Sequence, residues 1–125
     1  MKKYYRTSES TNAPLSGAVE VGDLVFVSGQ IHWENGVLVG ETVQEKFVQV
    51  MKNVMNILKE AGLTIDDIVR VHLYLTDLSE LKELNEVYMK TFKHPLPART
   101  AVGVVSLPLG ASLEMDVIAS RNSKA

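Results

Sequence analysis

The chain has 125 residues, 46% of them apolar and 22% charged, values of an ordinary globular domain that exclude a disordered or fibrous protein. Its formal net charge of −2 supplies no extended basic field for nucleic acid or anionic lipid. With no cysteine, disulfides, thiolate metal centres, iron–sulfur clusters and a cysteine nucleophile are excluded.

Residues 1–12 are polar and carry Lys2, Lys3 and Arg6 with no apolar stretch behind them. This is not the pattern of a signal peptide, and no window approaches the roughly 18 apolar residues of a membrane span. A cytoplasmic location and no membrane partner are expected. Residues 18–28 read as a hairpin turning at Gly22-Asp23, and Glu34-Asn35-Gly36 as a second turn returning through Val37-Leu38-Val39. Residues 42–61 carry apolar side chains at Val43, Phe47, Val50, Met51, Val54, Leu58 and Ala61, the stripe of an amphipathic helix. Thr42 with Glu45 forms a capping box, and Gly62 stands where a left-handed terminating residue is wanted.

Residues 68–76 alternate, with Val69, Val71, Leu73 and Leu75 on one side and Arg70, His72, Tyr74 and Thr76 on the other, as in a half-buried strand. Asp77 or Ser79 then caps a second helix bearing Leu81, Leu84, Val87, Tyr88 and Phe92. His94-Pro95-Leu96-Pro97 ends it, because proline disfavours a helical predecessor. Residues 100–105 and 112–120 are two further strands, and the tail 121–125 is polar and expected to fray. The order β-β-β-α-β-α-β-β predicts one α+β domain over residues 1–125, a mixed sheet with two helices on one face. The other face is left uncovered, and self-association is the simplest way to cover it.

Few residues carry recognisable chemistry. His32, His72 and His94 lack the spacing of a zinc helix, so no metal is expected. They read as a loop residue, a strand-surface residue and a helix-end residue. Ser28 lacks the glycine two residues earlier that a nucleophile elbow needs. The 13 Lys and Arg residues are scattered, so no nucleic-acid partner is expected.

The unusual position is Arg99, entering an otherwise uncharged strand with Ala101 and Gly103 on its face. A planar guanidinium beside small residues has room for a carboxylate ligand. Glu114 stands between Leu113 and Met115, in what reads as the antiparallel neighbour. Two readings stay open: an anion site with an acid nearby, or a structural ion pair of Arg99 with Glu114 or Asp116.

Several segments, taken in order, resemble the RidA/YjgF family of reactive-intermediate (imine) deaminases over nearly the whole chain. They are Asn12-Ala13-Pro14, Val27-Ser28-Gly29-Gln30-Ile31, residues 58–62, Thr76-Asp77-Leu78, Asn85 with Tyr88, Pro97-Ala98-Arg99, and Glu114-Met115. The resemblance implies a fold like bacillar-type chorismate mutase and a homotrimer whose sheets form a central barrel. A ligand cleft would lie at each subunit interface, and no cofactor is implied. It also implies hydrolysis of short 2-imino acids and their enamine tautomers (2-iminobutanoate, 2-iminopropanoate) to 2-keto acids and ammonia.

By that resemblance Arg99 holds the substrate carboxylate and Glu114 activates water. Ser28 and Gly29 line the cleft, Asn85 supports it, and the backbone at Ala101 offers an N–H. A ligand is then expected to fit between Arg99 and Glu114. Two positions depart from the family pattern: Leu15, where an aromatic is common, and Ala101, where a cysteine or small polar residue is common. These departures bear on substrate preference. They also support an alternative, a non-catalytic regulatory trimer that binds small carboxylates. A ribonuclease or translation-inhibitor role, attributed to some relatives, is a third reading that the negative charge disfavours.

Overall fold

A computed structural model describes residues 1–7 and 13–122 of the chain, so Asn12 and residues 123–125 lie outside the described part. In chain order the elements are β1 (Lys3–Tyr5), β2 (Ala18–Val21), β3 (Leu24–Ile31), β4 (Trp33–Glu34) and β5 (Val37–Leu38). They continue with α1 (Val43–Glu60), β6 (Ile68–Leu75), α2 (Leu81–Thr91), β7 (Ala98–Gly103) and β8 (Leu113–Ser120).

The helix α1 forms where local signals agree. Thr42 accepts from the Glu45 N–H while Glu45 accepts from the Thr42 N–H, closing the capping box. At the other end Gly62 takes φ of 74°, and the Gly62 and Leu63 N–H groups reach back to Lys59 and Leu58, the left-handed termination that glycine permits. Between these ends Val43, Phe47, Val50, Val54 and Leu58 are buried. Each contributes about 1.5–3 kcal/mol by leaving water. The α2 helix is entered through a 3-10 turn that Asp77 caps by accepting from the Ser79 N–H at 3.1 Å, and it buries Leu84 and Tyr88 in the same core.

The main sheet has the order β1-β2-β3-β8-β6-β7, and β4 and β5 form a separate ribbon. That ribbon turns through Asn35 and Gly36, both at positive φ, as an Asn-Gly hairpin turn requires. Both helices lie against the face that carries Val71, Leu73, Leu75, Leu113, Met115, Val117 and Ala119. The opposite face is open, with Val21, Leu24 and Phe26 exposed on it. Among the described residues no helix is long and apolar enough to cross a membrane.

The structure departs from the sequence reading at four places. First, the polar N-terminus supplies β1, pairing Tyr4 with Val19 on β2, whose free edge offers backbone groups to any extended neighbour. Second, Arg121 does not fray. Its guanidinium pairs with Glu20 and donates to Ala61 O at 2.6 Å. Arg121, then Tyr5, hold the Glu20 carboxyl down to about 2.

Third, Val69 is not on the core side. The ladder slips between Ile68 and Arg70, so Ile68 is buried and Val69 stands out. Fourth, β7 starts at Ala98 and pairs in parallel with β6. A strand–helix–strand crossover returns parallel, and β8 is inserted between β3 and β6. The strands of Arg99 and Glu114 are therefore not neighbours.

Candidate functional site

Arg99 lies opposite Val71 in the ladder, and Val71 faces the helices, so Arg99 faces them too. Its guanidinium donates to Asn85 Oδ1 at 2.8 Å and lies 4.7 Å from the centre of the Tyr88 ring. Asn85 and Tyr88 are three residues apart on α2, the spacing that puts two side chains on one helix face. A planar cation stacked on an aromatic face keeps its remaining N–H groups directed outward. Among the described residues no carboxylate pairs with Arg99.

The arginine borders a hollow of about 370 Å³ with Asn85, Tyr88, Met89, Leu96 and Pro97. Tyr88 is 3% exposed and its hydroxyl has no partner among the described residues. Burial pushes this phenol up, against the opposing effect of Arg99. Ala101 follows on the same side, packed against the core. Val104 donates its N–H to Leu75 O on β6, so by alternation the Ala101 N–H points away from β6, off the free edge of the sheet.

Glu114 lies on the other face, because it alternates with buried Leu113 and Met115. It sits beside the irregular stretch of β3 between Val27 and Gln30. A Cβ at Gly29 would collide with the Glu114 carboxylate, so glycine is what lets this side chain lie there. Burial, and secondarily the Asp116 charge, raise the Glu114 carboxyl above its ordinary range.

Ser28 donates its hydroxyl to Ser16 O at 2.6 Å, and its N–H to Gly17 O at 2.9 Å. That tether holds the loop carrying Leu15, half of which is exposed, beside β3. The hydroxyl of Ser28 is thereby committed to anchoring this loop.

The expected residues thus form two groups: Arg99, Asn85 and Ala101 on the helix side, and Glu114, Gly29, Ser28 and Leu15 towards β3. Arg99 and Glu114 are two strands and three residues apart, about 14 Å between Cα atoms at ordinary strand spacing, and on opposite faces. Within one chain a short ligand therefore does not bridge them. The structural ion pair of Arg99 does not form either. Asp116 instead takes His72 and Tyr74 as partners.

The sequence reading placed Tyr88 in the apolar stripe, although its spacing from Asn85 signalled the stacked position. It also read His32 as a loop residue. His32 is 3% exposed, with Nδ1 at 2.9 Å from Val39 O and Nε2 accepting from the Ser112 N–H at 3.1 Å. It fixes the entry to β8 two residues before Glu114. A hollow of about 520 Å³ bordered by Val69, His94 and Pro95 holds none of the expected site residues. Among the described residues no group of three or more His, Asp or Glu side chains could hold a metal ion.

The family model described as Endoribonuclease L-PSP matches residues 6–121. A RutC family protein of Aquifex aeolicus is 48% identical over 110 residues, covering 85% of this chain and 87% of that protein. The chloroplastic Reactive Intermediate Deaminase A of Arabidopsis thaliana is 39% identical over 109 residues, covering 86% of this chain and 58% of that protein. The crystal structure of E. coli TdcF with bound serine superposes with a TM-score of 0.80 at 35% identity, covering 88% of this chain and 90% of that one. With the family match spanning nearly the whole fold, the chain belongs to the RidA/YjgF family, whose members include a reactive-intermediate deaminase.

Proposed function

We propose that the protein hydrolyses short 2-imino acids and their enamine tautomers, such as 2-iminobutanoate and 2-iminopropanoate, to 2-keto acids and ammonia. It would act as a homotrimer with a cleft between adjacent subunits. The observation that carries this reading is the state of Arg99: half-buried, oriented by Asn85 and Tyr88, and without a carboxylate partner among the described residues. Such a group suits a small substrate carboxylate. A relative named as a deaminase and another holding bound serine, itself a small carboxylate, support the same reading. The separation of Arg99 from Glu114 supports the shared cleft, since a second copy can bring its own Glu114 to the first copy's Arg99.

In this reading the Arg99 guanidinium and the Ala101 N–H hold the carboxylate, which fixes the imine carbon for attack. Glu114 takes a proton from water as the water oxygen bonds to C2 of the protonated imine. The resulting carbinolamine receives that proton on nitrogen; as the C–N bond breaks its hydroxyl proton passes back to the Glu114 carboxylate and on to the departing ammonia, so that ammonium leaves with the 2-keto acid. A carboxyl raised by burial is better suited to both transfers than an ordinary one. Leu15 and Ala101 bring neither a phenol nor a thiol to the cleft, so the reaction relies on Arg99, Glu114 and water.

The test is to generate 2-iminobutanoate in situ from threonine with a dehydratase and follow keto-acid formation. The native protein should accelerate hydrolysis, and Arg99→Ala should not. No acceleration by the native protein would overturn the reading. Carboxylate binding without turnover would instead support the regulatory trimer favoured by Leu15 and Ala101.

A further inference from the structure

The open face of the sheet carries a connected row of polar side chains that the proposed reaction leaves unused. Arg70 donates to Thr100 Oγ1 at 2.5 Å and, through Nε–H, to His72 Nε2 at 3.2 Å. Arginine only donates, so Nε2 accepts and the ring proton sits on Nδ1, 2.7 Å from Asp116 Oδ1. The Tyr74 hydroxyl donates to Asp116 Oδ2 at 2.8 Å. Both oxygens of Asp116 are therefore held by donors from β6, and its charge is fixed in place. Asp116 and Glu114 flank buried Met115 on β8, so their carboxylates share a face, about 7 Å apart along the strand. In the ladder His72 stands opposite Asp116 and Tyr74 opposite Glu114.

We infer that Asp116 is a positioning residue for the proposed reaction, its anchored negative charge making the neighbouring Glu114 a stronger base. The inference rests on the reading of Glu114 as the group that activates water. The groups facing Glu114 can be followed element by element. On the β3 side Gly29 and Ile31 bring no charge. On β6 Tyr74 brings a hydroxyl, with His72 and Arg70 further along, the latter directed at Thr100 and the His72 ring. On β8 itself Asp116 is the charged neighbour within the chain, and in the proposed cleft the second copy's Arg99 faces Glu114 across the substrate.

Burial raises the Glu114 carboxyl and Asp116 raises it further. Burial, then Asp116, push the Tyr74 hydroxyl up to about 12, so it stays a donor at neutral pH. Asp116 is only about a quarter exposed, so solvent screens its effect on Glu114 incompletely.

The test uses Asp116→Asn and Asp116→Ser, which remove the charge at two sizes, and Asp116→Glu, which keeps it. The readouts are the pH–rate profile with 2-iminobutanoate formed in situ and, independently of turnover, the NMR titration of the Glu114 carboxyl carbon. Both uncharged variants should keep KM within about twofold and lose about threefold in kcat at neutral pH. Their acid limb and carboxyl midpoint should move to lower pH, while Asp116→Glu keeps the native midpoint. An unchanged midpoint in a folded uncharged variant would overturn the inference, because a residue that merely stitches β6 to β8 has no reason to move it. Full activity of Glu114→Gln would overturn the base reading and the catalytic part of this inference with it. An unchanged carboxyl titration would overturn the inference alone.

Discussion

Arg99 and Glu114 belong to one sheet but are held in opposite ways. The arginine is oriented by two side chains of a single helix, Asn85 and Tyr88, within 14 residues of it in sequence. The glutamate lies beside Gly29 of β3 and Tyr74 of β6, both far away in sequence. The cation has a hydrogen bond and an aromatic platform that orient it outward. The carboxylate has burial and a like-charged neighbour, which make its ionised form costly. One side is arranged to bind and the other to take up a proton. A single chain cannot bring the two to the same small molecule.

The largest effect should come from breaking the binding side. Arg99→Ala is expected to lower kcat/KM by at least about 100-fold. Arg99→Lys should recover little, because an ammonium cannot bridge Asn85 and a carboxylate in one plane. Circular dichroism should stay native for both, since the side chain is on the rim. On the reacting side Gly29→Ala forces a methyl against the Glu114 carboxylate, and a loss of about tenfold or more in kcat is expected. Its KM should change less.

Asn85→Ala sharpens the contrast from the binding side. It frees the guanidinium without removing it, so KM should rise about fivefold with kcat nearly unchanged. The smallest effect is on stability. Burial lowers the His32 imidazole below its usual value, and protonation would cost Nε2 its bond from the Ser112 N–H. The unfolded chain therefore takes up this proton near pH 6.5 while the folded chain resists it, so stability declines as pH falls below that value. The melting temperature should drop by a few degrees between about pH 7 and 5. His32→Asn should flatten that part of the dependence.

Elements defined by neighbouring residues were legible in the sequence. The capping box and stripe of α1, the Asn35-Gly36 turn and the alternation of β8 all appear where local chemistry demands them. What depended on distant pairing was not legible. The slip at Val69 and the insertion of β8 between β3 and β6 are properties of the ladder. No local pattern reveals that a buried histidine will find a backbone N–H 80 residues away. The same limit applied to the site. Arg99 stood out as a lone charge in a strand, but its sheet face relative to Glu114 followed from the parallel crossover that sequence alternation does not encode.

The most direct test of a site split between copies is subunit complementation. Arg99→Ala and Glu114→Gln chains, each expected to be nearly inactive alone, are mixed in equal amounts, unfolded and refolded together. Imine hydrolysis is then compared with the native protein. If Arg99 of one chain works with Glu114 of another, random mixing leaves both residues intact in about one quarter of the clefts, and activity should return to about that fraction. Hydrolysis that stays at the level of the separate variants, in refolded mixed oligomers, would contradict the shared cleft.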